Sequence, residues 1–200
     1  CYTNYYEDYL MNAAFHFKKF AKTFPNSEYA EDALFMSAYC NFLQSPNPNL
    51  DQTPTRMAID EMQLFVNTYP NSPLVDSANT LVDRLALKLE AKDFLNSKQY
   101  YTIKRYKAAV VALNNFMQQY PASEYEEEAK MLIIKSYYEL AINSVNEKKE
   151  ERFDKGIEAY YDFIDNFADS KKINEAEAIY AKLVKAREEF LLSKNDSNEL

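Results

Sequence analysis

Four copies of one phrase dominate the chain. It reads Phe20-x-x-x-Phe24-Pro25-Asn26-Ser27, then Phe65-x-x-x-Tyr69-Pro70-Asn71-Ser72. It returns as Phe116-x-x-x-Tyr120-Pro121-Ala122-Ser123, and more loosely as Phe163-x-x-x-Phe167-Ala168-Asp169-Ser170. An alanine follows each serine six residues later, at Ala33, Ala78, Ala129 and Ala176. A phrase recurring at about the length of one supersecondary unit marks a repeat architecture. Such chains work mainly as binding scaffolds.

Aromatics four residues apart share one helix face, so each pair can pack together against a neighbouring helix. Proline cannot extend the helix it follows, so Pro25, Pro70 and Pro121 help to stop one. The serine two residues on is a favoured N-cap for the next helix. Ser123 and Glu126 have capping-box spacing, and Pro73 suits a first helical position. The alanine lets the new helix approach its predecessor closely. Ala168 replaces proline in the fourth copy, but Asp169 and Ser170 still offer capping, so the turn is expected there too. The prolines stand 45 and 51 residues apart and Ala168 follows Pro121 by 47. These periods exceed the roughly 34 residues of a plain tetratricopeptide unit. The surplus belongs to longer helices and loops.

The expected fold is all-α: one tetratricopeptide-like solenoid of helix pairs, a right-handed superhelix, over residues 1–192, with a polar, fraying tail at 193–200. A single glycine in 200 residues argues against sandwiches, barrels and glycine-loop nucleotide folds. Seventeen tyrosines and thirteen phenylalanines supply the core bulk. A net charge of −8 speaks against nucleic acid as the main partner. No apolar run is long enough for a transmembrane helix.

Along the chain, residues 1–25 read as one helix, the second of a truncated first repeat, with Leu10, Ala13, Ala14, Phe17, Phe20 and Phe24 in 3.6 periodicity. Residues 27–44 form the next helix, and 45–54 a loop rich in turn residues. Arg56–Thr68 places Ile59, Met62, Phe65 and Val66 inward. Residues 74–102 read as one long helix, with a break or bend expected near Asp93–Asn96. A short turn falls at Lys104 or Arg105, and Tyr106–Gln119 is helical. Residues 124–145 form a long helix burying Met131, Ile134, Tyr138 and Ala141. A charged linker is expected at 146–152, then helices at Phe153–Asn166 and Ile173–Leu192.

Truncation is inferred from the register of Cys1. Thirteen residues after Ser27 and Ser123 come Cys40-Asn41-Phe42 and Ser136-Tyr137-Tyr138. Cys1-Tyr2 reads as the same small-then-aromatic position. The competing expectation is a lipid-bearing cysteine. Cys1 and Cys40 hold equivalent positions about one repeat apart, so buried free thiols are expected rather than a disulfide.

Candidate chemistry is sparse. His16 is the only histidine, so a histidine metal site or a nucleophilic triad would depend on it. Its place between Phe15 and Phe17 suits packing or the surface. Glu126, Glu127 and Glu128 fit a helix first turn. No catalytic, cofactor or metal residues are expected. The tyrosine doublets stand out: Tyr5-Tyr6, Tyr100-Tyr101, Tyr137-Tyr138 and Tyr160-Tyr161. Neighbours on a helix point about 100° apart, so one ring can enter the core while the other faces a partner. Tyr100, Tyr101, Tyr137, Tyr138, Tyr160 and Tyr161 are therefore the candidate partner-binding residues.

With these residues in view, the chain resembles the BamD family of outer-membrane protein assembly lipoproteins, in its Bacteroidetes form. The resemblance is carried by residues 17–27 with Tyr29-Ala30-Glu31-Asp32-Ala33, by Ser45-Pro46-Asn47-Pro48 with Leu50-Asp51-Gln52, and by Tyr69-Pro70-Asn71-Ser72-Pro73. The stretch from Tyr100 through Arg105-Tyr106-Lys107-Ala108-Ala109 to Tyr120-Pro121 fits as well. It covers roughly residues 1–190. It implies five tetratricopeptide-like repeats and a lipid anchor at the periplasmic face of the outer membrane. The implied partners are a BamA-like insertase contacted through its POTRA domains, other assembly-complex lipoproteins and unfolded outer-membrane proteins. The alternatives are a different periplasmic or cytoplasmic tetratricopeptide adaptor, or an enzyme built on a helical toroid around His16.

Overall fold

A computed structural model describes residues 1–6 and 9–198, with side chains through Lys194. Among these the chain is all-helical: α1 (Tyr2–Tyr6), α2 (Leu10–Thr23), α3 (Ala30–Leu43), α4 (Thr53–Thr68), α5 (Val75–Thr102), α6 (Tyr106–Gln119), α7 (Glu126–Ile142), α8 (Asn146–Asn166) and α9 (Ile173–Asn198). Successive helices pack on one another in the manner of a tetratricopeptide-like repeat. The chain divides into two compact units, Cys1–Lys92 and Asp93–Leu200.

Each copy of the phrase ends a helix in the same way. The ring pairs Phe20–Phe24, Phe65–Tyr69, Phe116–Tyr120 and Phe163–Phe167 lie 5.4, 5.9, 5.3 and 5.6 Å apart. Phe65, Phe116 and Phe163 are buried. The alanines that follow are buried as well. The turn without proline at Ala168 closes like the others, with Ser170 N–H on the Phe167 carbonyl at 3.0 Å.

The serines act slightly upstream of the expected place. Their hydroxyls accept from the N–H two residues on, in Tyr29, Leu74, Tyr125 and Lys172. Their carbonyls accept from the N–H three residues on. Each serine thus caps a single 3₁₀-type turn, and the α-helix starts three residues after it. The capping box is modified, because Ser123 N–H is bonded to Tyr120 O at 3.3 Å and Glu126 faces Lys130 at 3.5 Å. Ser72 also donates at 2.5 Å to Glu31, four residues after Ser27, and Ser170 donates to Glu127, four residues after Ser123. The cap of one repeat is thereby tied to the first turn of the preceding one.

In the first unit, Glu61 of α4 knots three helices together. It accepts from Lys18 of α2 at 2.7 Å, and from Ser37 and Asn41 of α3 at 3.1 and 2.8 Å. The loop before α4 is built around buried Gln52, whose amide donates to Asn47 O and Leu50 O. Two expectations for the amino-terminal segment fail. Residues 1–25 are not one helix: Tyr2 of α1 packs edge-on against Phe17 of α2 with centroids 5.0 Å apart. One continuous helix would hold those residues roughly 22 Å apart. Cys1 is exposed and only Cys40 is buried, both thiols being free. Burial pushes the Cys40 thiol up to about 11.

In the second unit, residues 93–96 are helical, without the expected break. Residues 146–152 are not a linker but the first two turns of α8. Their charges pair along and across helices, Glu151 with Lys155 at 2.6 Å and Glu150 with Lys194 at 2.8 Å. Helix is also found over 193–198. Helix α7 buries residues 129–134 almost continuously, a wider face than the expected stripe, because it contacts α6, α8 and α9. Gly156 of α8 is the close-approach point. A Cβ there would meet Leu183 Cδ2 at 2.9 Å and Tyr137 Cβ at 3.2 Å.

Gly156→Val is expected to lower the unfolding free energy by about 2–3 kcal/mol through overpacking, read from urea melts. The Ser170 hydroxyl, and then Lys172, hold the Glu127 carboxyl below its usual range. A depressed carboxylate contributes stability that is complete above the unfolded value near 4.3 and is lost as pH falls through the lower folded value. Glu127→Gln should therefore cost about 1 kcal/mol near neutral pH. The gap between the two proteins should close on acidification through that window, measured by urea melts at a series of pH values.

Candidate functional site

The second unit carries a run of three adjoining hollows along α6, α7 and α8. The largest, about 740 Å³, is walled by Tyr100, Tyr106 and Lys107, with Val111, Ala112 and Leu140 beneath. Lys107, Val111 and Leu140 also line the next, of about 270 Å³, where Lys148 and Arg152 enter from α8. Tyr137 and Lys155 join that hollow to a third, of about 320 Å³, which ends at Glu158 and Asp162. Between Lys107 and Met117 the run follows about 15 Å of α6.

The entrance depends on how α5 ends. Arg105 N–H bonds Tyr100 O at 2.8 Å and Lys104 N–H bonds Tyr101 O at 2.9 Å, the paired bonds of a Schellman stop. That stop puts the last residue in the left-handed region, usually as glycine, and here Lys104 takes it with φ 59°. The sharp exit sets Lys104, Arg105 and Lys107 around the largest hollow. Among the described residues none of the three is ion-paired. Arg152 donates to Leu140 O and to the Ser144 hydroxyl. The opposite end is mixed in sign, Lys130 bridging to Asp162 at 2.8 Å. Desolvation raises the Tyr106 and Tyr137 hydroxyls, so both stay protonated donors at neutral pH.

Of the candidate tyrosines, the fold brings Tyr100 and Tyr137 into this run. Tyr101 is half-buried and stands edge-on to Tyr106 with centroids 5.7 Å apart. Tyr138 turns the other way, against the core of Met131, Ile134 and Phe153. Tyr160 is buried and stacked on Tyr180 at 4.3 Å, while Tyr161 is half-exposed with its hydroxyl 3.1 Å from that of Tyr180. One ring in and one out thus describes Tyr100-Tyr101 and Tyr160-Tyr161; Tyr137 and Tyr138 are instead both half-buried, against neighbouring cores. The sequence reads Lys104 or Arg105 as a turn and Lys148-Lys149-Glu150-Glu151-Arg152 as a solvated linker rather than an anion site, and it gives no sign of the Val111–Leu140 floor. The one local signal was the run Lys104-Arg105-Tyr106-Lys107.

The first unit has a smaller hollow of about 340 Å³ among α1, α2 and α3, lined by Cys1, Tyr2, Phe17, Phe20 and Tyr29. His16 is exposed beside Phe15. No group of metal-ligating side chains is found among the described residues, and none of their helices is long and apolar enough to cross a membrane.

Stacked helix pairs of this kind define a helical-repeat protein. Residues 1–153 match the model of the YfiO family, described as an outer membrane lipoprotein. The chain belongs to that family. It is also similar to the outer membrane protein assembly factor BamD of Caulobacter vibrioides, 22% identical over 142 residues. That alignment covers 71% of this chain and 47% of the relative, so the chain matches about half of the relative's length.

Lys104→Gly should raise unfolding free energy by about 0.5–1 kcal/mol by relieving the left-handed side chain, while removing one entrance cation. Thermal melts beside the parent protein check this.

Proposed function

We propose that the chain is a non-catalytic scaffold subunit of the machinery that assembles β-barrel proteins into the outer membrane. The observation that carries this reading is the family match over residues 1–153, which spans three of the four phrases and most of the groove. The assembly-factor name of the Caulobacter relative agrees with it. In this reading the full-length protein is held by lipid at the periplasmic face of the outer membrane. Its later repeats dock a BamA-like insertase, alongside other lipoproteins of the complex. Its earlier repeats receive extended segments of unfolded outer-membrane proteins. A helical-repeat surface suits the task, offering aromatic rings and backbone-spaced polar groups to a transient client.

Affinity purification of the tagged full-length protein from detergent extracts should recover a β-barrel insertase with POTRA domains. Recovery of other envelope proteins without the insertase would instead assign the chain to a different adaptor role.

A further inference from the structure

We propose that the run of hollows on α6, α7 and α8 takes an extended acidic segment of a protein partner. Its carboxylates would meet Lys104, Arg105 and Lys107, and one of its apolar side chains would rest on Val111 and Leu140. The scaffold role supplies only the expectation of a protein partner; the chemistry of the segment comes from the groove.

Charge is the first argument. The chain carries a net −8, and some of its cations pair with carboxylates, as Lys98 does with Glu128 and Arg187 with Asp154. Lys104, Arg105, Lys107 and Lys148 make no ion pair among the described residues, and Arg152 is spent on uncharged oxygens. Three unpaired cations around the largest hollow, in an acidic protein, complement an anionic ligand; Lys148 stands in the next hollow, which Glu151 also lines.

Shape and floor narrow the class. Val111 is 55% exposed and Tyr100 43%, so an apolar contact surface stands open between the cations. Tyr106 and Tyr137 add protonated hydroxyls at the walls. A run of about 15 Å matches four or five residues of extended chain. The hollow is shallow and open, so the apolar contact offered by Val111 and Leu140 is what favours a segment carrying apolar side chains beside its carboxylates. The opposite end is mixed in sign, Lys130 and Lys155 standing with Glu158 and Asp162, so the segment's carboxylates belong at the Lys104 end.

The test is fluorescence anisotropy with the full chain and a fluorescein-labelled peptide of alternating Asp and Phe, beside a peptide with Lys in place of Asp. Vesicles of phosphatidylglycerol form a third arm. Saturable binding in roughly the micromolar range is expected for the Asp peptide alone, weakening with salt. The exposed triple variant K104E/R105E/K107E, with an unchanged melting curve, should weaken it by at least about tenfold. Lys104→Gly, which does not threaten the fold, should weaken it by a smaller factor, and Val111→Asp should abolish it. Equal binding of the Lys peptide, indifference to the triple reversal, or no saturation would overturn the proposal. Vesicle binding without peptide binding would overturn it in favour of a membrane surface. Because purified chain and synthetic peptide suffice, the outcome is independent of whether an insertase co-purifies.

Discussion

The second aromatic of each phrase holds the architecture together by being half in a helix. The N–H groups of Phe24, Tyr69, Tyr120 and Phe167 bond back to the carbonyl four residues earlier, at 2.9 Å in all four copies. Their own φ and ψ have already left helical values, near −126° and 61° at Phe24 and −125° and 73° at Tyr120. The chain reverses at a residue whose ring stays packed on its helical predecessor. Helix end and interhelical contact are therefore one event, and the buried alanine six residues past the serine follows from the direction so imposed.

The second unit shows what this repetition builds. Helix α7 lies between α6 and α8 and gives up nearly its whole circumference to packing. The faces of α6 and α8 that remain free flank it, and α7 contributes Tyr137 and Leu140 to the floor between them. Gly156 brings α8 close enough for Leu183 and Tyr137 to close the space behind it. The groove is thus the open side of a tight core, and its walls rest on helices with little freedom to shift.

Much of the fold could be read from the chain because the phrase is local. Aromatic spacing, proline stops and serine caps each act within a few residues, and the structure honours them even where Ala168 replaces proline. The misreadings come from contacts that cross helices. The charges of 146–152 look like a linker until Lys194 of α9 is placed beside Glu150. Residues 1–25 look like one helix because the periodicity of α2 extends into them, whereas Tyr2 folds back onto Phe17. Tyr100 and Tyr137 were visible as members of doublets. The nearness of Lys107 to Lys148 and Arg152 was not, since only packing makes neighbours of residues more than forty positions apart.

The hydrogen bonds from Ser72 to Glu31 and from Ser170 to Glu127 carry a further implication. Each joins one turn's cap to a point one helical turn past the previous cap, and makes no reference to the sequence between. Helix length and loop length in that interval are free to vary while the joint stays the same, as the differing spacings of the phrases already display. A helix pair bounded by two such serines therefore behaves as a cassette with standard fittings, and the surface between the fittings can be rewritten for a new partner without redesigning the stack.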